Sequence, residues 1–162
     1  MNLLRINYNF PTSILLKEAM SKDFSVYEDS KHGKSEGWNV YRGDIYDIPE
    51  AWNQTIAFCE FYGIKQGQPR YYILEENKML MPHIDYNTTC SVNHILNEDA
   101  APVTIMGEEY TYKSALLNTT VMHGVNNVGR KRRILFKISF FEQTYEEIRE
   151  QIRSREATFS IS

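Results

Sequence analysis

Two histidines and one aspartate carry the most informative spacing in this chain. The tripeptide His83-Ile84-Asp85 is followed forty positions later (123 − 83) by His123. On a β-strand, side chains two residues apart project from the same face, so His83 and Asp85 would point in one direction. An imidazole from a second strand would complete a set of two histidines and one carboxylate on one side of a metal ion. Such a facial set leaves coordination positions open and is typical of non-haem Fe(II) centres that use O2.

A basic residue follows at a position that strengthens this hypothesis. Arg133 lies ten residues after His123 (133 − 123), in the apolar run 132–141. If the strands that carry His123 and Arg133 pair as a hairpin, the guanidinium returns alongside His123, where it can hold a carboxylate bidentately. The alternative is that Arg133 belongs to a solvated basic run, 130–133, in which case Arg132 would take its place. For each histidine alone, an ordinary residue at the end of a strand is the simpler interpretation.

The four residues together lie in a segment that resembles a known superfamily. The run from Met79 to Phe141, 63 of the 162 residues (141 − 79 + 1), resembles the core of the Fe(II)/2-oxoglutarate-dependent oxygenases. The branches most similar to it are the aspartyl/asparaginyl β-hydroxylase-like and prolyl-hydroxylase-like enzymes. The resemblance implies a double-stranded β-helix that binds Fe(II) and uses 2-oxoglutarate and O2 as cosubstrates. It implies that His83, Asp85 and His123 bind iron and act in catalysis, and that Arg133 binds 2-oxoglutarate.

The same resemblance suggests two further contacts to 2-oxoglutarate. His94 lies eleven residues after His83 (94 − 83), as does a histidine that contacts 2-oxoglutarate in the aspartyl/asparaginyl branch. The alternative for His94 is a hydrogen-bonded histidine of the core. Tyr72 could give its hydroxyl to 2-oxoglutarate, or it could be a buried aromatic residue. The aspartyl/asparaginyl branch typically lacks the acidic residue two positions after the first histidine, whereas this chain has Asp85. The subfamily and the substrate therefore stay open.

The elements that would position these residues follow from hydrophobic patterning and turn residues. We expect one domain over 1–162, with a helical and loop-rich flank over 1–70, a β-helix core over 71–141, and a C-terminal helix and tail over 142–162. One helix would start at Thr12-Ser13 and run to Met20, and another would run from Pro49 to about Tyr62 and end at Gly63. The polar segment 28–37, which contains His32, is expected to be an exposed loop that acts as a lid.

From residue 71 the pattern changes to short strands separated by turns. This pattern predicts a mainly β fold, a sandwich or a jelly roll with flanking helices. The resemblance implies the cupin-like form of the jelly roll, the double-stranded β-helix. Thr144 and Glu147 form a capping box for the last helix. The apolar stripe of this helix would pack on the sheet or on a second subunit, which leaves a homodimer possible. The predicted strands are 71–75, 78–86, 89–96, 102–106, 109–112, 115–122 and 132–141.

Composition limits the partners. The formal net charge of −3 gives no general attraction for nucleic acid or anionic membranes. No apolar run reaches the ~18 residues needed to span a bilayer, and the start of the chain lacks the apolar region of a signal peptide. We therefore expect a cytoplasmic protein in which Cys59 and Cys90 are unpaired thiols.

These observations lead to one functional prediction and two alternatives. We expect a dioxygenase that hydroxylates an amino-acid side chain, either in a peptide or protein or in a free amino acid. The first alternative is a cupin-type metalloenzyme that does not use 2-oxoglutarate. The second is a binding module on the same fold that has no catalytic activity.

Overall fold

Two antiparallel β-sheets form the centre of the molecule. The computed structural model describes residues 1–29 and 33–161, without the side chains of 26–29, 33–36 and 159–161. Within these ranges the chain forms eleven strands and three helices, so the mainly-β prediction is confirmed. In chain order they are β1 (Leu3–Arg5), α1 (Thr12–Met20), β2 (Ser25–Asp29), β3 (Gly33–Tyr41), α2 (Pro49–Tyr62), β4 (Gln68–Leu74), β5 (Met79–His83), β6 (Cys90–Ile95), β7 (Val103–Ile105), β8 (Glu108–Tyr110), β9 (Ser114–Leu117), β10 (His123–Asn126), β11 (Arg133–Phe140) and α3 (Tyr145–Ile161).

The large sheet has helices on one face and the small sheet on the other. Its strand order is β1-β9-β6-β11-β4-β3-β2, and the small sheet has the order β5-β10-β7-β8. Alternation along β11 shows the division, because Phe136 and Ile138 join the helix-side core, whereas Leu135 packs with Leu80 and Val125 of the small sheet. Each fully buried side chain of this kind stabilises the fold by about 1.5–3 kcal/mol. The cavity of the candidate site lies between the two sheets.

The helices agree with their predicted bounds. Helix α2 ends where Gly63 adopts a φ of 67°, a left-handed conformation that glycine takes without steric cost. The Oγ1 of Thr144 accepts a hydrogen bond from the backbone N–H of Glu147 at 3.2 Å, as the capping box predicts. The predicted cap of α1 is wrong, because its N-cap is Pro11 and no side chain caps it. The apolar stripe of α3 lies in the core of its own chain, through Tyr145, Ile148 and Ile152.

The predicted loop over 28–37 is wrong where the structure describes it. Strands β2 and β3 pair with each other there, and β3 also pairs with β4. The predicted lid residue His32 lies outside the described residues. The N-terminal segment, expected to be helix and loop, also provides β1, which pairs with β9. Periodicity gives no signal for the strand residues within 28–37, because that run is polar, and none for β1, which is only three residues long.

The predicted hairpin of the His123 and Arg133 strands is also wrong. Strand β10 pairs with β5 and β7 in the small sheet, whereas β11 pairs with β4 and β6 in the large sheet. The predicted strand over 115–122 ends at Leu117 because Asn118 forms a turn. Its Oδ1 accepts hydrogen bonds from the backbone N–H of Thr120 at 3.1 Å and from the hydroxyl of the same residue at 2.6 Å. His123 and Arg133 therefore line the same cavity from different sheets.

Cys59 and Cys90 are both buried and unpaired. No helix in the described ranges combines the length and the apolar character needed to cross a membrane.

Candidate active site

His83, Asp85 and His123 converge at one end of the cavity between the sheets. The antiparallel register of β5 and β10 places His83 directly opposite His123, and the ring centroids are 4.4 Å apart. Asp85 follows the end of β5, and its Oδ1 lies 3.3 Å from His83 Nε2 and 3.4 Å from His123 Nε2. One ligand atom from each residue lies within 4.8 Å of the others, so the three side chains can hold one metal ion.

The hydrogen bonds of the two imidazoles fix which nitrogen faces the carboxylate. His83 Nδ1 lies 2.8 Å from the carbonyl oxygen of Met81, and His123 Nδ1 lies 2.8 Å from that of Val121. A carbonyl oxygen only accepts, so each Nδ1 carries a proton and each Nε2 is the nitrogen that faces the carboxylate. In the neutral tautomer with its proton on Nδ1, each Nε2 offers a lone pair to a cation placed between the histidines and the carboxylate. The donor set therefore fits a divalent metal, whose histidine ligands commonly donate their second N–H in this way.

Asp85 is held as an ionised carboxylate. Its Oδ2 accepts a hydrogen bond from Thr88 Oγ1 at 3.1 Å and lies 3.8 Å from Lys137 Nζ. Burial raises the pKa of Asp85, but the Lys137 ammonium and the two imidazoles lower it by more, so the pKa lies well below its usual value. Its backbone N–H donates to the carbonyl oxygen of Thr119 at 2.9 Å. These contacts orient Oδ1 toward the histidines.

A bulge in β5 and a glycine in β10 set the position of the histidines. Between the pairs Val125–Leu80 and His123–His83, β5 contains one more residue than β10. The bulge includes Pro82, which has no N–H to offer a ladder. A Cβ on Gly124 would lie 2.6 Å from the carbonyl oxygen of Leu80, so only glycine allows β10 to approach β5 this closely. Bulges of this kind re-aim side chains next to active sites.

The cavity beside the triad has a volume of about 310 Å³, within the range of ~300–1,000 Å³ that small-molecule sites occupy. Its walls come from both sheets, and one end is apolar, with Leu80, Val103 and Val125. The polar and charged residues that line it are Arg42, Arg70, Tyr72, His83, Asp85, Tyr86, Asn87, Thr88, Asn93, His123, Arg133, Lys137 and Ser139. The predicted residues His83, Asp85, His123, Arg133 and Tyr72 are therefore brought together.

Arg133 points into the cavity, although it starts a strand that follows a basic run. Only 1% of the residue is exposed. Its Nε donates to the carbonyl oxygen of Ala101 at 3.2 Å, and its Nη2 donates to the Tyr112 hydroxyl at 2.8 Å. The same hydroxyl accepts a hydrogen bond from Asn93 Nδ2 at 3.3 Å, so its own proton is left to donate. Arg132 points away and pairs with Glu75 at 3.3 Å, which removes it as the alternative.

Tyr72 lies on the cavity face of β4, and its ring is held on both sides. It stacks on Trp38 with ring centroids 4.8 Å apart, and Lys137 Nζ lies 5.1 Å from its ring centroid. Its hydroxyl accepts a long hydrogen bond of 3.5 Å from Arg70 Nη1. Tyr72 therefore contributes to the cavity wall together with two cations.

The structure removes His94 from the site and corrects the expected contact to 2-oxoglutarate. Residues of β6 alternate between the faces of the large sheet, and His94 lies on the helix side while Asn93 faces the cavity. The Nδ1 of His94 contacts Ser114 Oγ at 2.6 Å, its Nε2 contacts Thr12 Oγ1 at 2.8 Å, and its ring packs on Phe10. His94 is the hydrogen-bonded core histidine of the alternative interpretation, and it ties α1 to the sheet.

The environment of His94 predicts a loss of stability in acid. Burial, and to a smaller extent Lys113, lower its pKa from 6.5 to about 4. The unfolded chain therefore takes up this proton more readily, and the native state loses up to about 3 kcal/mol of stability as the pH falls from about 6.5 to about 4. His94→Gln keeps polar groups for Ser114 and Thr12 but does not titrate. Denaturant unfolding at pH 7 and pH 4.5 should show a smaller loss for this variant, and an equal loss in both proteins would contradict the assignment.

Arg70 and Tyr112 had no role in the sequence prediction, and Lys137 entered it only as a substitute for Arg133. Alternation along β11 puts Lys137 on the same face as Arg133, and alternation along β4 puts Arg70 on the same face as Tyr72, so their positions could have been inferred. Tyr112 follows β8 and reaches Arg133 only through the folding of the small sheet. Local sequence carries no signal for that contact.

Comparisons with solved structures identify the class of fold. A Pseudomonas putida prolyl-4-hydroxylase matches with a TM-score of 0.62 and 12% identity, over 82% of this chain and 84% of that one. A prolyl hydroxylase from Trichoplax adhaerens, in complex with a hypoxia inducible factor oxygen degradation domain peptide fragment, matches with a TM-score of 0.65 and 11% identity, over 91% of this chain and 84% of that one. HygX from Streptomyces hygroscopicus, with nickel, 2-oxoglutarate and hygromycin B bound, matches with a TM-score of 0.60 and 9% identity, over 88% and 84%.

These neighbours confirm the expected resemblance to the Fe(II)/2-oxoglutarate-dependent oxygenases, including its prolyl-hydroxylase-like branch. At these identities the likeness concerns the fold. The sequence matches no family model and no curated protein.

Proposed function

We propose that this protein is an Fe(II)- and 2-oxoglutarate-dependent dioxygenase, a hydroxylase built on a double-stranded β-helix core within one domain. The observation that supports this most is the convergence of His83 Nε2, Asp85 Oδ1 and His123 Nε2, with both Nδ1 atoms anchored on carbonyl oxygens. These three residues would hold the iron. Bound iron would supply the activation of O2, coupled to the oxidative decarboxylation of 2-oxoglutarate.

The rest of the cavity fits a cosubstrate that carries a carboxylate. Arg133 is buried, and its contacts are to neutral groups, the Ala101 carbonyl and the Tyr112 hydroxyl. No carboxylate in the described part of the chain forms an ion pair with it. A buried cation without a counter-ion is unfavourable, and the distal carboxylate of 2-oxoglutarate would supply one. Arg133 would bind that carboxylate, and the Tyr112 hydroxyl would donate beside it. Tyr72 would complete the wall, with its hydroxyl within reach of 2-oxoglutarate.

The apolar part of the cavity would protect the reaction. Leu80, Val103 and Val125 line it from the small sheet, and Leu135 lines it from the large sheet. Apolar walls exclude water and keep the reacting C–H of the substrate in a dry environment. The substrate would be a small molecule or a peptide, with an amino-acid side chain as the group that is hydroxylated. Structural neighbours were captured with a peptide fragment and with hygromycin B, which supports both sizes of substrate.

The two alternative functions are less well supported by the same geometry. A cupin-type metalloenzyme that does not use 2-oxoglutarate gives no reason for a buried Arg133 that lacks a carboxylate. A binding module gives no reason for two imidazole Nε2 atoms and an ionised carboxylate to converge on one point. Both remain distinct outcomes of the test below.

The test is an anaerobic absorbance titration of the metal-free protein, first with Fe(II) and then with 2-oxoglutarate. We expect one iron per chain and then a visible metal-to-ligand charge-transfer band, because only a 2-oxo acid that chelates iron gives this band. Glutarate, which lacks the 2-oxo group, is the matched control and should give no band. Iron binding without a band would favour the cupin-type enzyme, and no iron binding at all would favour the binding module.

A further inference from the structure

A row of cations crosses the cavity face of the large sheet. Lys137 on β11 lies directly opposite Arg70 on β4. Arg42 follows Tyr41, the last residue of β3, whose partner is Tyr71, so Arg42 comes to the level of Arg70. All three side chains line the cavity. Like charges directly opposite each other on neighbouring strands destabilise a sheet. The three cations break this rule where they line a cavity, which indicates that their positive charge has a function.

The protein neutralises only one member of this row. Asp85 is the only carboxylate among the described residues that line the cavity, and Lys137 pairs with it at 3.8 Å. Arg70 is half-buried, and its contact is the neutral Tyr72 hydroxyl at 3.5 Å. Within the described ranges, neither Arg70 nor Arg42 lies within ion-pair distance of a carboxylate. Two guanidinium groups therefore face the cavity without a counter-charge.

The proposed cosubstrate does not neutralise them. 2-Oxoglutarate carries two carboxylates, of which one would bind the metal and the other would bind Arg133. Arg133 lies four residues before Lys137 on β11, so one side chain of the same face, that of Leu135, lies between Arg133 and the row. The positive charge of Arg42 and Arg70 is thus left for a different ligand.

We propose that the primary substrate carries an anionic group, a carboxylate or a phosphate, which Arg42 and Arg70 bind; this rests on the proposed function of the triad. Both groups match the planar fork of a guanidinium, which binds them through two parallel N–H donors. Arg42 is exposed and Arg70 is half-buried, which places the anionic group at the open side of the cavity. The remainder of the substrate would extend between the sheets toward His83, Asp85 and His123.

The test uses the protein loaded anaerobically with Fe(II) and saturating 2-oxoglutarate, so that the Arg133 position is filled. Calorimetric titrations compare two anionic probes, N-acetyl-L-glutamate and O-phospho-L-serine, with counterparts of zero net charge, N-acetyl-L-glutaminamide and L-serine. We expect at least one anionic probe to bind about tenfold or more tightly than its counterpart, as charge-assisted hydrogen bonds predict. A preference for the first pair would identify a carboxylate substrate, and a preference for the second would identify a phosphate.

Variants test whether the preference for an anionic probe depends on Arg42 and Arg70. Arg70→Gln and Arg42→Gln should each weaken binding of the preferred probe by about tenfold. Arg70→Lys keeps the charge without the fork and should retain part of the affinity. Arg153→Gln removes the same charge from the exposed surface of α3 and is the matched control, which should bind as the wild type does.

The outcomes separate this inference from the proposed function. The charge-transfer band is recorded on the same wild-type samples, and its absence would refute 2-oxoglutarate chelation whatever the probes do. With the band present, equal affinity for anionic and neutral probes, or no binding of either, would overturn the inference alone. Unchanged affinity in both Arg70→Gln and Arg42→Gln would do the same.

Discussion

Asp85→Ala is expected to abolish 2-oxoglutarate turnover. The carboxylate is the only anionic ligand of the triad, and both His83 and His123 direct Nε2 at its Oδ1. Loss of a residue that merely supports a metal ligand commonly costs 10–100-fold in metal affinity or activity, so loss of the ligand should cost more than about a hundredfold. Fe(II) affinity by anaerobic equilibrium dialysis and succinate formation in air measure the two effects.

The fold should survive this substitution. The backbone N–H of Asp85, which bonds the Thr119 carbonyl, is kept in the variant. The lost contacts are to Thr88, to Lys137 and to the two imidazoles, and a change of this kind lies within the usual range of about 0.5–3 kcal/mol in the free energy of unfolding. Asp23→Ala removes a carboxylate from an exposed position and is the matched control. Unchanged turnover in a folded Asp85→Ala protein would refute the triad as the iron site.

The positions of the triad and of Arg133 were predictable because they depend on local rules. Strand alternation predicts that His83 and Asp85 share one side, although β5 ends at His83 and Asp85 lies just beyond it. Alternation also divides β11 into a cavity face and a helix face. The spacing of forty residues between His83 and His123 then indicated that a second strand supplies the third ligand. Local rules do not determine which sheet each strand joins. The predicted hairpin fails for that reason, since β10 and β11 pair with different partners.

The predicted contact of His94 with 2-oxoglutarate is wrong for a related reason, which is the register of one strand. A spacing of eleven residues from His83 agrees with a superfamily contact, but whether the side chain enters the cavity depends on the register of β6. That register turns Asn93 inward and His94 outward, and a shift of one residue would exchange them. The register is fixed by apolar residues such as Val92, which pack under the helices. Burial pattern, rather than spacing, was the observation that could have placed His94 in the core.

The charges of the cavity could be predicted only in part. Net charge over the whole chain is −3 and suggests no preference for anions. The sheet nevertheless collects Arg42, Arg70, Arg133 and Lys137 around one carboxylate. Each of these residues comes from a strand or a strand end, and they are up to 95 positions apart in sequence (137 − 42). The local potential of a cleft therefore follows from strand pairing, and it can be opposite in sign to the net charge.

Arg133→Ala is expected to raise the apparent KM for 2-oxoglutarate by about 10–100-fold. A charge-assisted hydrogen bond to a carboxylate is worth roughly 1.5–3 kcal/mol, which corresponds to that range. Because Arg133 is 1% exposed, the variant also removes the donor to the Ala101 carbonyl and one of the two donors to the Tyr112 hydroxyl, and it leaves a cavity. Arg133→Lys keeps a cation of similar reach and should lie between the wild type and the alanine variant. Steady-state succinate formation at varied 2-oxoglutarate measures the change.

Two neighbouring cations serve as controls for this prediction. Arg132→Ala removes a guanidinium one residue away that pairs with Glu75 on the outside, so its KM for 2-oxoglutarate should equal that of the wild type. Lys137→Met removes the ion pair with Asp85 and should weaken Fe(II) binding more than it changes that KM. The reverse pattern, with KM raised in Lys137→Met and unchanged in Arg133→Ala, would move the cosubstrate carboxylate to Lys137. Because Lys137 lies beside the triad and Arg133 lies at the far end of β11's cavity face, the two variants distinguish which way 2-oxoglutarate extends from the metal.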